Sequence, residues 1–187
     1  MRTLRLAAAQ LGPIARDESR DHVVARLIEL LHGAADAGCA LVVFPELALT
    51  TFFPRWHLDE GDGEAITGDT TELDGYYETS MPNDATQPLF DEAKRLGVGF
   101  TLGYAELTDD GHRFNTTILV ERDGTIVGHY RKVHIPGHDL HEPWRQFQHL
   151  EGATSRSRTK DSVCTAHSTA WSGWRPATTG VGPRPIG

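Results

Sequence analysis

Two residues of this chain have the types and settings for carbonyl chemistry. Glu46 follows the apolar run Leu41-Val42-Val43-Phe44 and the strand-stopping Pro45. That places a carboxyl at the end of a strand expected to be buried on both faces. Sites in α/β folds gather at such strand ends, and desolvation there makes a carboxyl a better base. Lys132 closes a second strand-like stretch, Thr125 to Val133. A carboxylate base beside an ammonium that donates to a developing oxyanion suits attack on a carbonyl carbon. One such donor is worth about 3 kcal/mol in comparable sites. Taken singly, Glu46 reads as well as a solvated loop residue, and Lys132 as an edge charge. The pair also needs a nucleophile, and the chain holds only Cys39 and Cys164.

The elements that must carry these two residues can be read in order. Leu4 to Ala9 reads as a first strand, ended by Gly12-Pro13. Val23, Val24, Leu27, Ile28, Leu31, Ala34 and Ala35 then fall on one helical face, with Gly38 as a stop. The Val42-Val43 strand follows at once, so a strand–helix–strand crossover predicts parallel pairing. Thr50 to His57 is an aromatic loop that can either wall a pocket or cap a core. Asp59 to Asp74 is acidic and rich in Gly and Thr, which predicts a flexible surface insertion. A second helix runs from near Pro88 to Leu96, with Gly97 ending it. Three strands succeed it: Val98 to Leu107, Phe114 to Glu121 and Thr125 to Val133. Asp109-Asp110-Gly111 and Arg122-Asp123-Gly124 turn between them. The fold class is therefore α/β, a mixed sheet made of a βαβ unit and an antiparallel meander.

Composition narrows the partners. With 187 residues and a net charge of −8, neither nucleic acid nor an anionic membrane is an expected partner. The charge is uneven: from Gly152 onward five Lys/Arg face one Asp, so the body carries −12 and the tail +4. Two cysteines make no disulfide framework and fit a reducing compartment, so a soluble cytoplasmic protein is the expectation. Gly152 to Gly187 lacks Leu, Phe and Tyr and has no helical or strand periodicity, which predicts disorder.

The runs Phe44-Pro45-Glu46 and Tyr130-Arg131-Lys132-Val133-His134-Ile135-Pro136-Gly137 resemble the first two signatures of the carbon–nitrogen hydrolase (nitrilase) superfamily. Gln10 to Arg16, Glu46 through Trp56-His57, Gly103 to Leu107, Arg113 to Thr116 and Phe147 to Glu151 resemble, within it, the N-carbamoyl-D-amino-acid amidohydrolases. The similarity covers Met1 to Glu151, with Gly61 to Thr71 out of pattern. It implies an αββα sandwich, here partial, with helices on one face of a mixed sheet and an incomplete C-terminus. It also implies a Cys–Glu–Lys triad with Glu46 as general base and Lys132 as oxyanion stabiliser, while His134, His149 and Glu151 support the site or touch substrate. The implied reaction opens the carbamoyl C–N bond of an N-carbamoyl amino acid, giving amino acid, ammonia and carbon dioxide. No metal or other cofactor is implied, and a complete chain of this kind would form a homo-oligomer.

The resemblance calls for a Cys-Asn-Asp-Arg-Arg-Trp-Pro-Glu stretch after a further strand, and the written sequence has none. Cys164 lies between non-matching neighbours, and Cys39 opens a buried strand and reads as core. Gly173 to Gly187, back-translated with permitted codons and read one base earlier, yields that stretch. Thr159 to Val163 read the same way yields Asp-Glu-Gly-Phe-Gly. These matches predict a frame break near Gly152. Residues 1–151 are then the N-terminal part of a hydrolase domain, and 152–187 an out-of-frame tail. The chain as written would be inactive and poorly stable.

Other readings are a sister amidase, of carbamoylputrescine or ureidopropionate type, and a metal-dependent hydrolase using His134, His138, His141, His149 and Glu142. A non-enzymatic fragment that pairs with an intact subunit is a third.

Overall fold

A computed structural model describes residues 3–56, 58, 71–138, 140, 142–145 and 147–155. Its centre is a five-stranded sheet in the order β1-β2-β3-β4-β5. These strands are Leu6–Ala8, Leu41–Val43, Gly99–Leu107, Arg113–Val120 and Ile126–Arg131. The first two pairings are parallel and the last two antiparallel, as the crossover and the meander predict. Helix α1 (Arg20–Asp36) makes the first crossover. Ser19 caps it, its hydroxyl accepting from the His22 N–H, which satisfies one of the four free N–H groups of the first turn. A short helix α2 (Thr71–Asp74) and helix α3 (Gln87–Leu96) precede β3. Pro88 sits in the first turn of α3, where its missing N–H costs nothing, and Gly97 closes the helix at φ +67°.

Both long helices lie on one face of the sheet. Leu27, Leu31, Leu89 and Ala93 from α1 and α3 pack on Val42, Phe100, Leu102, Ile118 and Val120 from alternate strand positions. Each large apolar side chain buried there contributes about 1.5–3 kcal/mol. The other face is covered only in part. Leu6 and Val43 are 53% and 42% exposed on it. This corrects the expectation that the β2 strand is buried on both faces. Val42 is fully buried against the helices, whereas Val43 points the opposite way, where no helix of the described residues packs.

A second apolar cluster sits beyond the end of β2. The aromatic loop forms a 3-10 turn at Phe53–Arg55. The Phe53 ring stacks on Tyr76 with centroids 4.9 Å apart, and Leu73 and Tyr77 pack beside them. Residues 71–74 thus depart from the flexible insertion expected of Asp59 to Asp74. Leu73 is 1% exposed, and Asp74 is paired to Arg113 on β4, so α2 is tied to the sheet. His57 and residues 59–70 lie outside the described residues.

The chain after Glu151 also differs at its start from the patternless tail expected there. Glu151–Thr154 forms a single helical turn, α4, and Thr154 and Ser155 are each 6% exposed. Tyr77 donates its hydroxyl to the Thr154 carbonyl at 2.5 Å. The rest of that segment, Cys164 included, lies outside the described residues.

Candidate active site

Glu46 and Lys132 come together on the partly open face of the sheet. The chain leaves β2, passes Pro45 and turns at Leu47, whose φ of +48° is a left-handed conformation rare for a branched residue. The turn is held from beneath: Ala48 N–H donates to the Gly103 carbonyl at 2.8 Å. Gly103 is required there. A Cβ on it would lie 3.0 Å from Glu46 Cα, from Leu47 N and from Pro45 O, all backbone atoms with no room to yield. Lys132 follows β5 directly, and its N–H donates to the Asn115 carbonyl of β4 at 2.8 Å. Antiparallel neighbours point to the same face, so the Asn115 and Lys132 side chains emerge side by side.

The result is a closed ring of hydrogen bonds. Lys132 Nζ donates to Glu46 Oε1 at 2.6 Å and to Glu151 Oε1 and Oε2 at 2.8 and 3.1 Å. Asn115 Nδ2 donates to the same Glu46 Oε1 at 2.6 Å and the same Glu151 Oε1 at 2.7 Å. His149 Nε2 lies 3.2 Å from Glu151 Oε2, and its ring meets Phe52 edge-on at 5.2 Å. Phe52 therefore walls the site, while its neighbour Phe53 caps the core. The aromatic loop does both of the things open to it.

Burial is divided differently from expectation. The desolvated carboxylate is Glu151, whose side chain is 2% exposed, whereas the Glu46 side chain is 52% exposed. Glu46 lies on the open sheet face, while Glu151 is folded beneath it by α4, where Leu150 N–H donates to the Pro54 carbonyl at 2.7 Å. Burial by itself would raise the Glu151 carboxyl pKa. Hydrogen bonds from Lys132, Asn115 and His149 outweigh it and hold the group below its usual value. Burial likewise works to lower Lys132, and the bonds to Glu151 and Glu46 reverse the sign, so the ammonium is held charged. An ammonium has three N–H donors. Here all three meet carboxylate oxygens, one on Glu46 and two on Glu151, and the bond to Glu151 Oε2 at 3.1 Å is the longest.

His134 is exposed and makes no hydrogen bond or ion pair with Glu46, Lys132 or Glu151. The loop carrying it is pinned back on His149. His138 N–H donates to the His149 carbonyl at 2.7 Å, close to Gly137 at φ +101°. Sequence reasoning missed Asn115 as a site residue. Its signal was present in the meander, since the residue opposite the one after β5 must share its face with Lys132. Among the described residues no three of His, Cys, Asp and Glu gather to hold a metal ion, so the histidine-rich loop forms no such centre among them. His141 and Asp139 lie outside the described residues. Among the described residues no helix is long and apolar enough to cross a membrane.

The mixed sheet with helices on one face thus brings Glu46 and Lys132, from beyond two strand ends, together with Glu151 from α4. The family model for carbon–nitrogen hydrolases matches residues 5–179, and the chain belongs to that family. The match extends past Glu151 into the segment expected to fall outside it. A nitrilase described as Nitrilase 3, from an unknown prokaryotic organism, is 27% identical over 150 residues, covering 78% of this chain and 43% of its own length. Omega-amidase NIT2 of Homo sapiens is 26% identical over 135 residues, covering 72% and 42%. A carbon–nitrogen hydrolase from Helicobacter pylori G27 superposes with a TM-score of 0.58 at 21% identity, over 84% of this chain and 45% of that one. The chain spans less than half the length of each of these proteins.

Proposed function

We propose that the parent protein opens the carbamoyl C–N bond of an N-carbamoyl amino acid, with Glu46 as general base and Lys132 as oxyanion donor. The observation that carries this reading is the single ammonium of Lys132 held between Glu46 and Glu151 at 2.6 and 2.8 Å. A thiol proton would pass to Glu46, and the thiolate would attack the carbamoyl carbon. The carbonyl oxygen, taking up negative charge, would receive the Lys132 N–H that otherwise makes the long bond to Glu151 Oε2. Collapse of that adduct expels the substrate nitrogen, which takes its proton from Glu46. The sulfur then carries a thiocarbamate; water, deprotonated by the same carboxylate, cleaves it, the thiol regains its proton, and the released carbamic acid breaks down to carbon dioxide and the second nitrogen product. His149 and Glu151 hold the ammonium in place, and His134 is assigned to the rim where substrate enters. The amidase from Nesterenkonia sp. AN1, a solved neighbour in fold, has an active-site cysteine that takes up acrylamide.

The nucleophile in this account is the cysteine of the alternative reading frame, with the frame changing near Gly152. The written chain would then supply the base and the oxyanion donor but no thiol, and would be inactive, because removing the nucleophile abolishes most of a triad's rate advantage. The family match runs to residue 179 in the frame as written, and Cys164 lies inside it. Nucleotide sequence through that region decides between the two. Ammonia release is then measured with N-carbamoyl-D- and L-amino acids, carbamoylputrescine, ureidopropionate, simple carboxamides and nitriles. Hydrolysis confined to carbamoyl amino acids supports the substrate class. Turnover of carboxamides or nitriles alone replaces it with a sister activity.

A further inference from the structure

We propose that Asn115 is a positioning residue of this site. Its side-chain amide ties Glu46 to the buried Glu151 and leaves Glu46 Oε2 as the oxygen that takes the proton. The inference rests on Glu46 being the base.

The geometry uses the amide fully. Asn115 Nδ2 carries two hydrogens and has two carboxylate partners, Glu46 Oε1 at 2.6 Å and Glu151 Oε1 at 2.7 Å. The orientation of the amide follows from charge, because turning it over would aim its carbonyl oxygen at two carboxylates. Asn115 is 4% exposed and sits in the middle of the sheet between β3 and β5, so its backbone cannot drift. Lys132 bonds the same two oxygens, but through a flexible stem. When its ammonium turns toward a substrate oxygen, the Asn115 bridge remains. Both donors converge on Glu46 Oε1, and no described residue bonds Oε2. The partner-free oxygen belongs to the half-exposed side chain, where a nucleophile or a water can reach it. Two carboxylates so close would otherwise compete for one proton. A neutral double donor bonds both carboxylates without adding a second positive charge to the site.

The test uses the full chain, labelled with carbon-13 at the glutamate carboxyls and titrated by NMR as the parent, Asn115→Ala and Asn115→Asp. In Asn115→Ala the Glu151 midpoint rises by about one unit, the size of one lost hydrogen bond to a charged group. The Glu46 resonance also moves, and its response to Glu151 titration shrinks. In Asn115→Asp the Glu151 midpoint rises further, because a donor has become a third carboxylate. A merely structural role would lower Tm and leave these resonances in place. If Asn115→Ala fails to fold, Asn115→Ser is titrated instead. A folded variant whose Glu151 midpoint and Glu46 resonance match the parent overturns the proposal. A raised Glu151 midpoint without hydrolysis by any form of the protein removes the hydrolase reading and leaves the tether. Hydrolysis with an unmoved midpoint does the reverse.

Discussion

Lys132 Nζ lies 2.6 Å from Glu46 Oε1, across 86 residues of sequence, because β2 and β5 deliver their ends to the same face of one sheet. The ammonium also neutralises Glu151, which is almost wholly buried. Replacing Lys132 with Met leaves that carboxylate without its cation. Such a loss costs about 3 kcal/mol. Urea denaturation at pH 7 should show a loss of that order. The loss should shrink as pH falls through the depressed Glu151 pKa, since a protonated Glu151 no longer needs the ammonium. An equal loss at every pH would detach the effect from that charge pair.

A second ion pair contributes to the acid sensitivity of the fold. Glu106 is partly buried, which alone would raise its pKa. Hydrogen bonds from Arg131, His129 and Thr116 more than reverse this and bring it from 4.5 to about 2. A carboxyl depressed in the folded state stabilises it above the unfolded pKa, and that stability is lost as pH falls toward the folded value. The stability contributed by Glu106, of the order of 3 kcal/mol, is therefore present above pH 5 and lost between about pH 5 and 2. Arg131→Met should flatten this part of the stability–pH curve. An unchanged acid limb in the variant would contradict the assignment.

Gly103→Ala tests the floor beneath Glu46. The added methyl meets three backbone atoms at 3.0 Å, so the Pro45–Leu47 turn must lift. Overpacking of this kind costs about 1–3 kcal/mol. A displaced Glu46 should also lose its bond to Asn115. Thermal denaturation reads the first effect, and the Asn115 side-chain amide resonance in nitrogen-15 NMR reads the second.

The loop between Lys132 and Glu151 has a comparable pin. A Cβ on Gly137 would fall 2.1 Å from the His149 carbonyl oxygen, and φ there is +101°. Gly137→Ala should break the His138 N–H bond to that carbonyl and speed hydrogen exchange at His138 at least tenfold, the equivalent of about 1.4 kcal/mol. Unchanged exchange would show that the loop is held by other contacts.

The strand–helix–strand unit, the Gly97 stop and the two glycine turns were legible because each depends on local pattern. Element ends came within a few residues, as in the expected Leu4 to Ala9 against Leu6–Ala8. Glu46 and Lys132 were legible as strand-end residues that could pair, and the family resemblance strengthened that pairing and placed it in a triad. What local pattern could not show was coverage of the second sheet face. Val43 looks as apolar as Val42, yet only Val42 meets the helices. The exchange of burial between Glu46 and Glu151 was hidden for the same reason. It depends on how the turn after Leu150 docks on Pro54, a contact made by chain distant in sequence.

Carbamoyl hydrolysis by the protein translated in the alternative frame after Gly152 bears most directly on the account, with Glu46→Gln and Lys132→Met as paired variants. The account predicts release of ammonia and free amino acid from an N-carbamoyl amino acid. It predicts a kcat loss of about 100-fold or more in each variant. No hydrolysis of any carbon–nitrogen substrate, or full activity in Glu46→Gln, would contradict it.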